Sequence, residues 1–532
     1  MTAATDAPQV ITQSLGGSPL SRAARAGHLP QWYRPVPRTT ADWSAYAREV
    51  ATNAPTGWLA ELEPAIAPRG AAAERLRRVG EGQGIVITTG QQPGLFGGPL
   101  MTFIKALSAR AHADLLQDAL GVPVAPLFWA ATDDADFDEA AVVSVAVEGG
   151  ARELRLTHRA PAGTPMSRTP IGPEIAELEA ALREACGSAP HARYLDAAVA
   201  AYGGVTTVGD AYVMMLRALL EPLEIADIDA SHSAVARAAA PLLRRTAADA
   251  AEVAAALQQR AEAITAAGFA PQVADVEGLS LVFLNDNGIK RRLPIQEAAG
   301  LAASAGGAFL STTALLRPVV ERAIMPTAAY VGGPGEIAYF AQVSAVAAAV
   351  GVAVPLVVPR WSATIVEPRV RRILDDLRLD VDAFAEPHSA ERLVAEQHVP
   401  AEVKAALAAL QSDVDHDVAA LAVAGSGLLA DAVIDGFRRA AEHRIARLGR
   451  RVLAAVKRRE TDIMTRLATA RGSLYPDGVR QERTLAFAPL LARYGPALVD
   501  DMLVSARAHA RAHIPHAPPT ASPQSSTATA RV

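Results

Sequence analysis

Cysteine is almost absent from this 532-residue chain: Cys186 stands alone, so an intrachain disulfide and a cysteine-built zinc centre are both excluded. It ends an Ala/Leu/Glu helical pattern and reads as a passive thiol. No charge of one sign dominates. Lys plus Arg number 51 and Asp plus Glu 56, a formal net charge of −5, which leaves no global basic field for a nucleic acid. The histidines read as scattered, with neither an H-x-x-x-H nor an HExxH pair expected, so no transition-metal site is expected. Residues 1–15 lack a basic n-region and a long apolar run, so no secretory signal is visible. The one membrane-like stretch, 343–359, is too short and is broken by Pro355. A helix ending near Gly351 followed by a strand at 354–358 accounts for it. A cytoplasmic protein, partnered by neither membrane nor nucleic acid, is the expectation.

Half of the residues are hydrophobic and alanine is plentiful, enough for a large interior with much helix. At this length two or three domains, or one elaborated domain, are expected. Residues up to about 68 read as an arm with short helices. From Gly84 the pattern alternates: strand 85–88, helix 100–120, strand 124–130, helix 211–220, strand 225–228, strand 326–331, a helix after Glu336 and strand 354–358. Strands alternating with helices of this length predict βαβ units and a parallel sheet. Two stretches interrupt the rhythm. Residues 142–173 alternate apolar and charged side chains and look antiparallel, while apolar runs at 279–285 and 289–295 flank Asn287-Gly288, a hairpin signal. Both read as insertions into an α/β core. After Pro368 the strands stop, and long helical patterns at 400–424 and 430–470 surround Gly425-Ser426-Gly427. In the second, Ile434, Phe437, Ala441, Ile445, Leu448, Val452 and Val456 form one apolar seam. The pair predicts an antiparallel coiled-coil hairpin and a dimer contact; the Arg-rich remainder reads as a solvated face. The Pro/Ser/Thr/Ala tail from about His516 is expected to be disordered.

Two glycine-rich turns carry the chemistry. Gly84 to Pro99 and Pro326 to Glu336 each follow a short apolar run and open into a helical pattern. A strand ending in glycines at a helix N-terminus lets backbone N–H groups approach an anion. The first turn is not a standard nucleotide motif: Gly98 is followed by Pro99 and Leu100 where a Walker A loop needs Lys and Ser/Thr, and Gly94, Gly97 and Gly98 do not give G-x-G-x-x-G. Gly94, Gly97 and Gly98 would admit a ligand, Gln91 and Gln92 offer amides at the strand end, and Lys105 lies two turns into the helix; a tight strand-to-helix turn with no ligand is the alternative. Asp133 and Asp134, directly after the next strand, suit an amino group or magnesium held with a nucleotide, or else a helix N-cap. Gly332, Gly333 and Gly335 free the backbone beside Glu336, which suits an amine, a ribose hydroxyl or a helix cap; Tyr339 lies one turn on. Arg360 and Ser362 follow the last strand and suit phosphate, or else mark a surface turn. Leu316-Arg317-Pro318 reads as a structural joint.

The run Thr88-Thr89-Gly90-Gln91-Gln92-Pro93-Gly94-Leu95-Phe96-Gly97-Gly98-Pro99 resembles the bacillithiol-synthesis cysteine ligase family, BshC. So do, in the same order, Phe128-Trp129 with Asp133-Asp134-Ala135-Asp136-Phe137, the run Ala329 to Phe340, Pro359-Arg360-Trp361-Ser362-Ala363-Thr364, and Leu474-Tyr475-Pro476 with Gln481-Glu482-Arg483. The resemblance extends from about Gly84 to about Tyr494. It implies an α/β fold: a Rossmann-like core, similar to nucleotidylyltransferases and class I aminoacyl-tRNA synthetases, with two inserted connecting segments and a C-terminal α-helical coiled coil. The chain then divides into an arm and first core part (1–141), a connecting segment (142–195), core (196–269), a second connecting segment (270–318), core (319–370), a helical coiled-coil domain (371–515) and a tail (516–532). The implied activity joins L-cysteine to glucosaminyl-malate, with ATP expected to activate the cysteine carboxylate and Asp133, Asp134 and Glu336 expected to hold ammonium groups or Mg2+. Gln91-Gln92-Pro93-Gly94 stands in place of the His-x-Gly-His motif of the related folds, so adenylation and phosphorylation both stay open. The resemblance also implies a nucleotide near the coiled coil. The expected catalytic residues are Gln91, Gln92, Asp133, Asp134 and Glu336. Gly94, Gly97, Gly98, Lys105, Gly332, Gly333, Gly335, Tyr339, Arg360 and Ser362 are the expected substrate or nucleotide contacts. A nucleotidyl- or acyl-transferase acting on another amino sugar or amino acid, and a non-catalytic nucleotide-binding scaffold, are the alternatives. All three require Gln91–Gly98 and Gly332–Glu336 to meet around one cavity.

Overall fold

The computed structural model describes residues 7–514 apart from 83, 205–206, 275 and 306–308, and the tail expected from His516 onward lies outside them. The strand Ile85–Gln91 is apolar or Thr at its first five positions and is buried up to Gly90, as a central strand must be. It pairs in parallel on both sides, with Val124–Ala130 through Ile85↔Val124 to Gln91↔Ala130, and with Thr327–Gly332 through Tyr330↔Thr88. Ala226–Asp229 and Leu356–Pro359 add the outer parallel strands. Numbered by their order in the chain, the five strands run 3-2-1-4-5 across the sheet. The crossover direction reverses between the first strand and the fourth. Ligands in open parallel sheets bind at the carboxyl ends beside such a reversal, and here those ends are Gln91 and Gly332. This is the parallel sheet that the alternation predicts and the Rossmann-like core that the resemblance implies.

The helix Leu100–Leu120 starts after Pro99 and ends where Gly121 takes φ +66°. Val142–Val147 and Gly150–Arg155 make the first inserted hairpin. In the second insertion Leu279–Asp286 pairs antiparallel with Ile289–Pro294, and Asn287 and Gly288 both take positive φ, as a tight two-residue hairpin turn requires. A third strand, Leu310–Thr312, joins this sheet. The membrane-like stretch resolves into the helix Pro334–Ala349 and the strand Leu356–Pro359. No helix among the described residues is long and apolar enough to cross a membrane.

Two compact units emerge. One holds the parallel sheet and comprises residues 10–145, 153–364 and 482–514; the other, largely helical, comprises 7–9, 146–152 and 365–481. The helix Ala488–Ala510 lies in the unit that holds the sheet. It packs on Leu100–Leu120, and Phe487 stacks on Phe103 at 5.3 Å between ring centroids. His509 on that helix and His513 in the 3-10 turn Arg511–His513 that follows are four residues apart, so an H-x-x-x-H spacing does exist, yet no group of three metal-ligating side chains occurs among the described residues. In the helical unit Ala401–Ala424 lies against Asp431–Arg459, and a separate helix, Thr461–Leu474, follows Glu460. The expected seam is only half covered: Ile434 and Val456 are buried, whereas Phe437 and Leu448 are exposed.

Candidate active site

A cavity of about 310 Å³ opens at the carboxyl edge of the sheet beside the crossover reversal. Of the expected residues, Gln91, Gln92, Lys105, Asp133, Asp134, Gly333, Gly335, Glu336 and Tyr339 all line it. The two glycine turns do meet around one space.

Lys105 joins them. Its ammonium is 3% exposed and has three donors, and all three find acceptors: the Gly90 carbonyl at 2.7 Å, Gln91 Oε1 at 3.0 Å and Glu336 Oε2 at 2.8 Å. Burial pushes its pKa below the usual lysine range, and the Glu336 carboxylate opposes that shift. Glu336 is also the cap of its own helix, since Oε2 accepts the Gly333 N–H at 2.7 Å while Pro334 occupies the first helical position. Its other oxygen accepts from the Tyr330 hydroxyl. Burial alone would raise the Glu336 pKa, but Lys105 and Arg317 outweigh it and hold the carboxyl below its usual range. Capping and site chemistry are thus two duties of one side chain.

Arg317, expected as a joint, lines the cavity instead. It begins the helix Arg317–Ile324, and its Nη2 donates to Tyr330 at 2.9 Å and Tyr339 at 3.3 Å. Behind it Glu321 is fully buried, with Oε1 3.5 Å from Arg317 Nε; burial pushes the Glu321 pKa up to about 7. Across the cavity Lys290, from the second inserted hairpin, bonds the Asp133 carbonyl at 2.8 Å and Oδ2 at 3.0 Å. Gln92 Nε2 meets Asp134 Oδ2 at 3.0 Å, and Gln91 Nε2 meets Glu139 Oε1 at 3.2 Å. Desolvation, with Asp136 and Asp134 adding to it, raises the Glu139 pKa. The helix cap expected of Asp133 or Asp134 falls to Asp136. Arg483 completes the lining and makes no ion pair or hydrogen bond among the described residues.

Six expected residues lie elsewhere. Gly94, Gly97 and Gly98 are buried beneath the turn, and none lines the cavity. The Tyr202 hydroxyl bonds the Gly94 carbonyl at 2.7 Å, and the Gly97 N–H points back to that hydroxyl at 3.4 Å. A Cβ at Gly94 would stand 2.6 Å from Gly98 Cα, and one at Gly97 2.9 Å from Phe487, so these glycines serve close packing of the chain on itself. Gly332 ends its strand with its carbonyl accepting the Arg360 N–H at 2.9 Å. Arg360 is buried in a two-pronged ion pair with Glu482, at 3.0 and 2.7 Å, which consumes the charge meant for phosphate. Ser362 is buried beside it. Conversely, Lys290, Arg317, Glu139, Thr312, Thr313 and Arg483 were not foreseen. The hairpin carrying Lys290 was legible from Asn287-Gly288, but the surface it docks on was not.

The chain's sequence matches that of a known family over most of its length. The description "Bacillithiol biosynthesis BshC, N-terminal Rossmann-like domain" matches residues 54–361, and "Bacillithiol biosynthesis BshC, C-terminal coiled-coil domain" matches 363–514. Among relatives, a protein of Solibacter usitatus named "Putative cysteine ligase BshC" is 32% identical over 84% of this chain and 87% of its own. Proteins of the same name from Koribacter versatilis, 32% identical over 81% of this chain and 83% of theirs, and Symbiobacterium thermophilum, 29% over 90% and 94%, are similarly related. With both domain descriptions covering it nearly end to end, the chain belongs to the BshC family of bacillithiol biosynthesis.

Proposed function

We propose that this enzyme forms an amide between the carboxyl group of L-cysteine and the amine of glucosaminyl-malate, giving bacillithiol. One observation carries the reading: a single cavity at the sheet's carboxyl edge presents both signs of charge, Lys290, Arg317 and Arg483 against Asp133, Asp134 and Glu139. An amino acid needs both, a cation for its carboxylate and an anion for its ammonium group. The names of the relatives point the same way.

ATP would supply the leaving group that makes the cysteine carboxyl carbon electrophilic, by adenylation or by phosphorylation. The unpaired Arg483 and the Arg317 amino group not committed to Tyr330 and Tyr339 fit that anionic partner. Gln91 is held at both ends of its amide by Lys105 and Glu139, and Gln92 at its nitrogen by Asp134, which leaves the Gln92 amide oxygen for substrate in a fixed orientation. Glu139, with its raised pKa, accepts the proton that the attacking amine must lose. No group of three ligating side chains stands ready for a metal among the described residues, so Mg2+ would arrive on the nucleotide's phosphates and meet at most one or two carboxylates. The setting is the cytoplasm, and the active form is a homodimer joined through the coiled coil.

Purified protein given L-cysteine, glucosaminyl-malate and ATP should yield the amide, seen by mass spectrometry. AMP with diphosphate, or ADP with phosphate, separates the two activation routes. Folded protein giving no product with ATP or other nucleotides would overturn the assignment, and product from a different amine acceptor would favour the transferase alternative.

A further inference from the structure

A second cavity of about 240 Å³ adjoins the first, and Asp133 and Thr312 line both. One wall is the face of the helix Ser233–Ala248 that carries Ala236, Ala239 and Leu243, three residues at helical spacing; Trp129, from the end of its strand, also lines the space. This lining is apolar, but its polar groups are unusual. Trp129 Nε1, Asn285 Oδ1 and Ser311 Oγ are buried without a hydrogen-bond partner among the described residues. Three orphaned groups around one space are costly unless a ligand or water meets them. A donor, an acceptor and a group that is both match hydroxyls, each of which donates and accepts. Apolar walls with polar edges suit a sugar ring, whose faces are C–H and whose rim is hydroxyl. Arg168 also lines the cavity. It is exposed and makes no ion pair or side-chain hydrogen bond among the described residues.

We propose, resting on the ligase reading above, that this adjoining cavity seats the carboxylated amino-glycoside acceptor, its ring against Ala236 and Trp129 and its carboxylate on Arg168. The amine then lies at the junction, where Asp133 is shared by both cavities, and reaches the cysteine carboxyl from that side. The first cavity is left for the amino acid and its activating anion.

Isothermal titration of the full-length protein with glucosaminyl-malate, glucosamine, L-cysteine and ATP tests this. Arg168→Ala should weaken glucosaminyl-malate at least tenfold and glucosamine less than twofold. Ala236→Phe should weaken both sugars at least tenfold, while L-cysteine stays within twofold in each variant. Arg168 is exposed, so its variant should fold even if Ala236→Phe does not. Unchanged glucosaminyl-malate affinity in the folded variants, no binding by the unaltered protein, or loss of ATP affinity in place of the sugar's would overturn the proposal. Amide formation is read separately. Product from the unaltered protein together with unchanged sugar affinity in both variants removes the subsite alone, whereas absence of product removes the ligase reading and leaves the titration to decide the subsite.

Discussion

At Lys105 a buried ammonium spends every donor on the protein itself: two on the first turn and one on the second. Removing it takes from the Glu336 carboxylate its cation at 2.8 Å, and breaking a buried pair from one side typically costs about 3–5 kcal/mol. We therefore expect Lys105→Met to lose about that much stability in urea denaturation. The double variant Lys105→Met/Glu336→Gln should recover part of it, a coupling of about 1–3 kcal/mol. Additive losses would mean that the two turns are not joined there. Glu321 makes a second residue-scale case. Its folded pKa of about 7 lies above the ordinary value of 4.5, because burial disfavours the charged form. Between those values the folded state holds a proton that the unfolded state has released, so stability falls as pH rises through the window, by on the order of 2–3 kcal/mol. Arg317, Glu336 and Lys105 face the same pocket of charge and remain in the variant. Glu321→Gln should flatten the decline between pH 4.5 and 7 relative to the parent, measured by denaturant titration at several pH values. An identical pH slope in both proteins would show that Glu321 titrates normally.

The glycine turns show, at the scale of the element, how one sequence pattern can serve two purposes. The second turn faces the cavity with Gly333 and Gly335, as a ligand-binding turn should. The first turn faces it only from Gly90 to Gln92, and Gly94, Gly97 and Gly98 are folded inward. The spacing of glycines is the same evidence in both cases; what differs is whether another segment covers them. Here Tyr202 and Phe487, more than 100 residues away in sequence, do so. Gly97 takes φ +84° and meets Phe487 and Met215, so Gly97→Ala should cost about 1–3 kcal/mol of stability through strain and overpacking. The remaining folded protein should bind L-cysteine within twofold of the parent. A loss of affinity larger than the loss of stability would return this glycine to the ligand.

For the whole molecule, the exposed apolar side chains of the coiled-coil hairpin set the expectation. Leu421, Val423, Leu428, Leu429, Val433 and Phe437 cluster around its tip and are all exposed. A homodimer formed there should fall to monomer, by sedimentation velocity, when Val433 and Phe437 are both replaced by Glu; an unchanged sedimentation coefficient would place the dimer contact elsewhere. The sequence by itself determined the alternation of strands and helices, the Asn287-Gly288 hairpin and the helical second half, because those follow from local periodicity and turn chemistry. It also brought Gln91, Asp133 and Glu336 to one sheet edge, since each follows a parallel strand. Only the tertiary structure decided that Arg360 is neutralised by Glu482, that Lys105 joins two loops, and that Lys290 and Arg317 enter the cavity. Those outcomes depend on which distant segment supplies the opposite charge, and a buried charge takes whatever partner the fold brings to it.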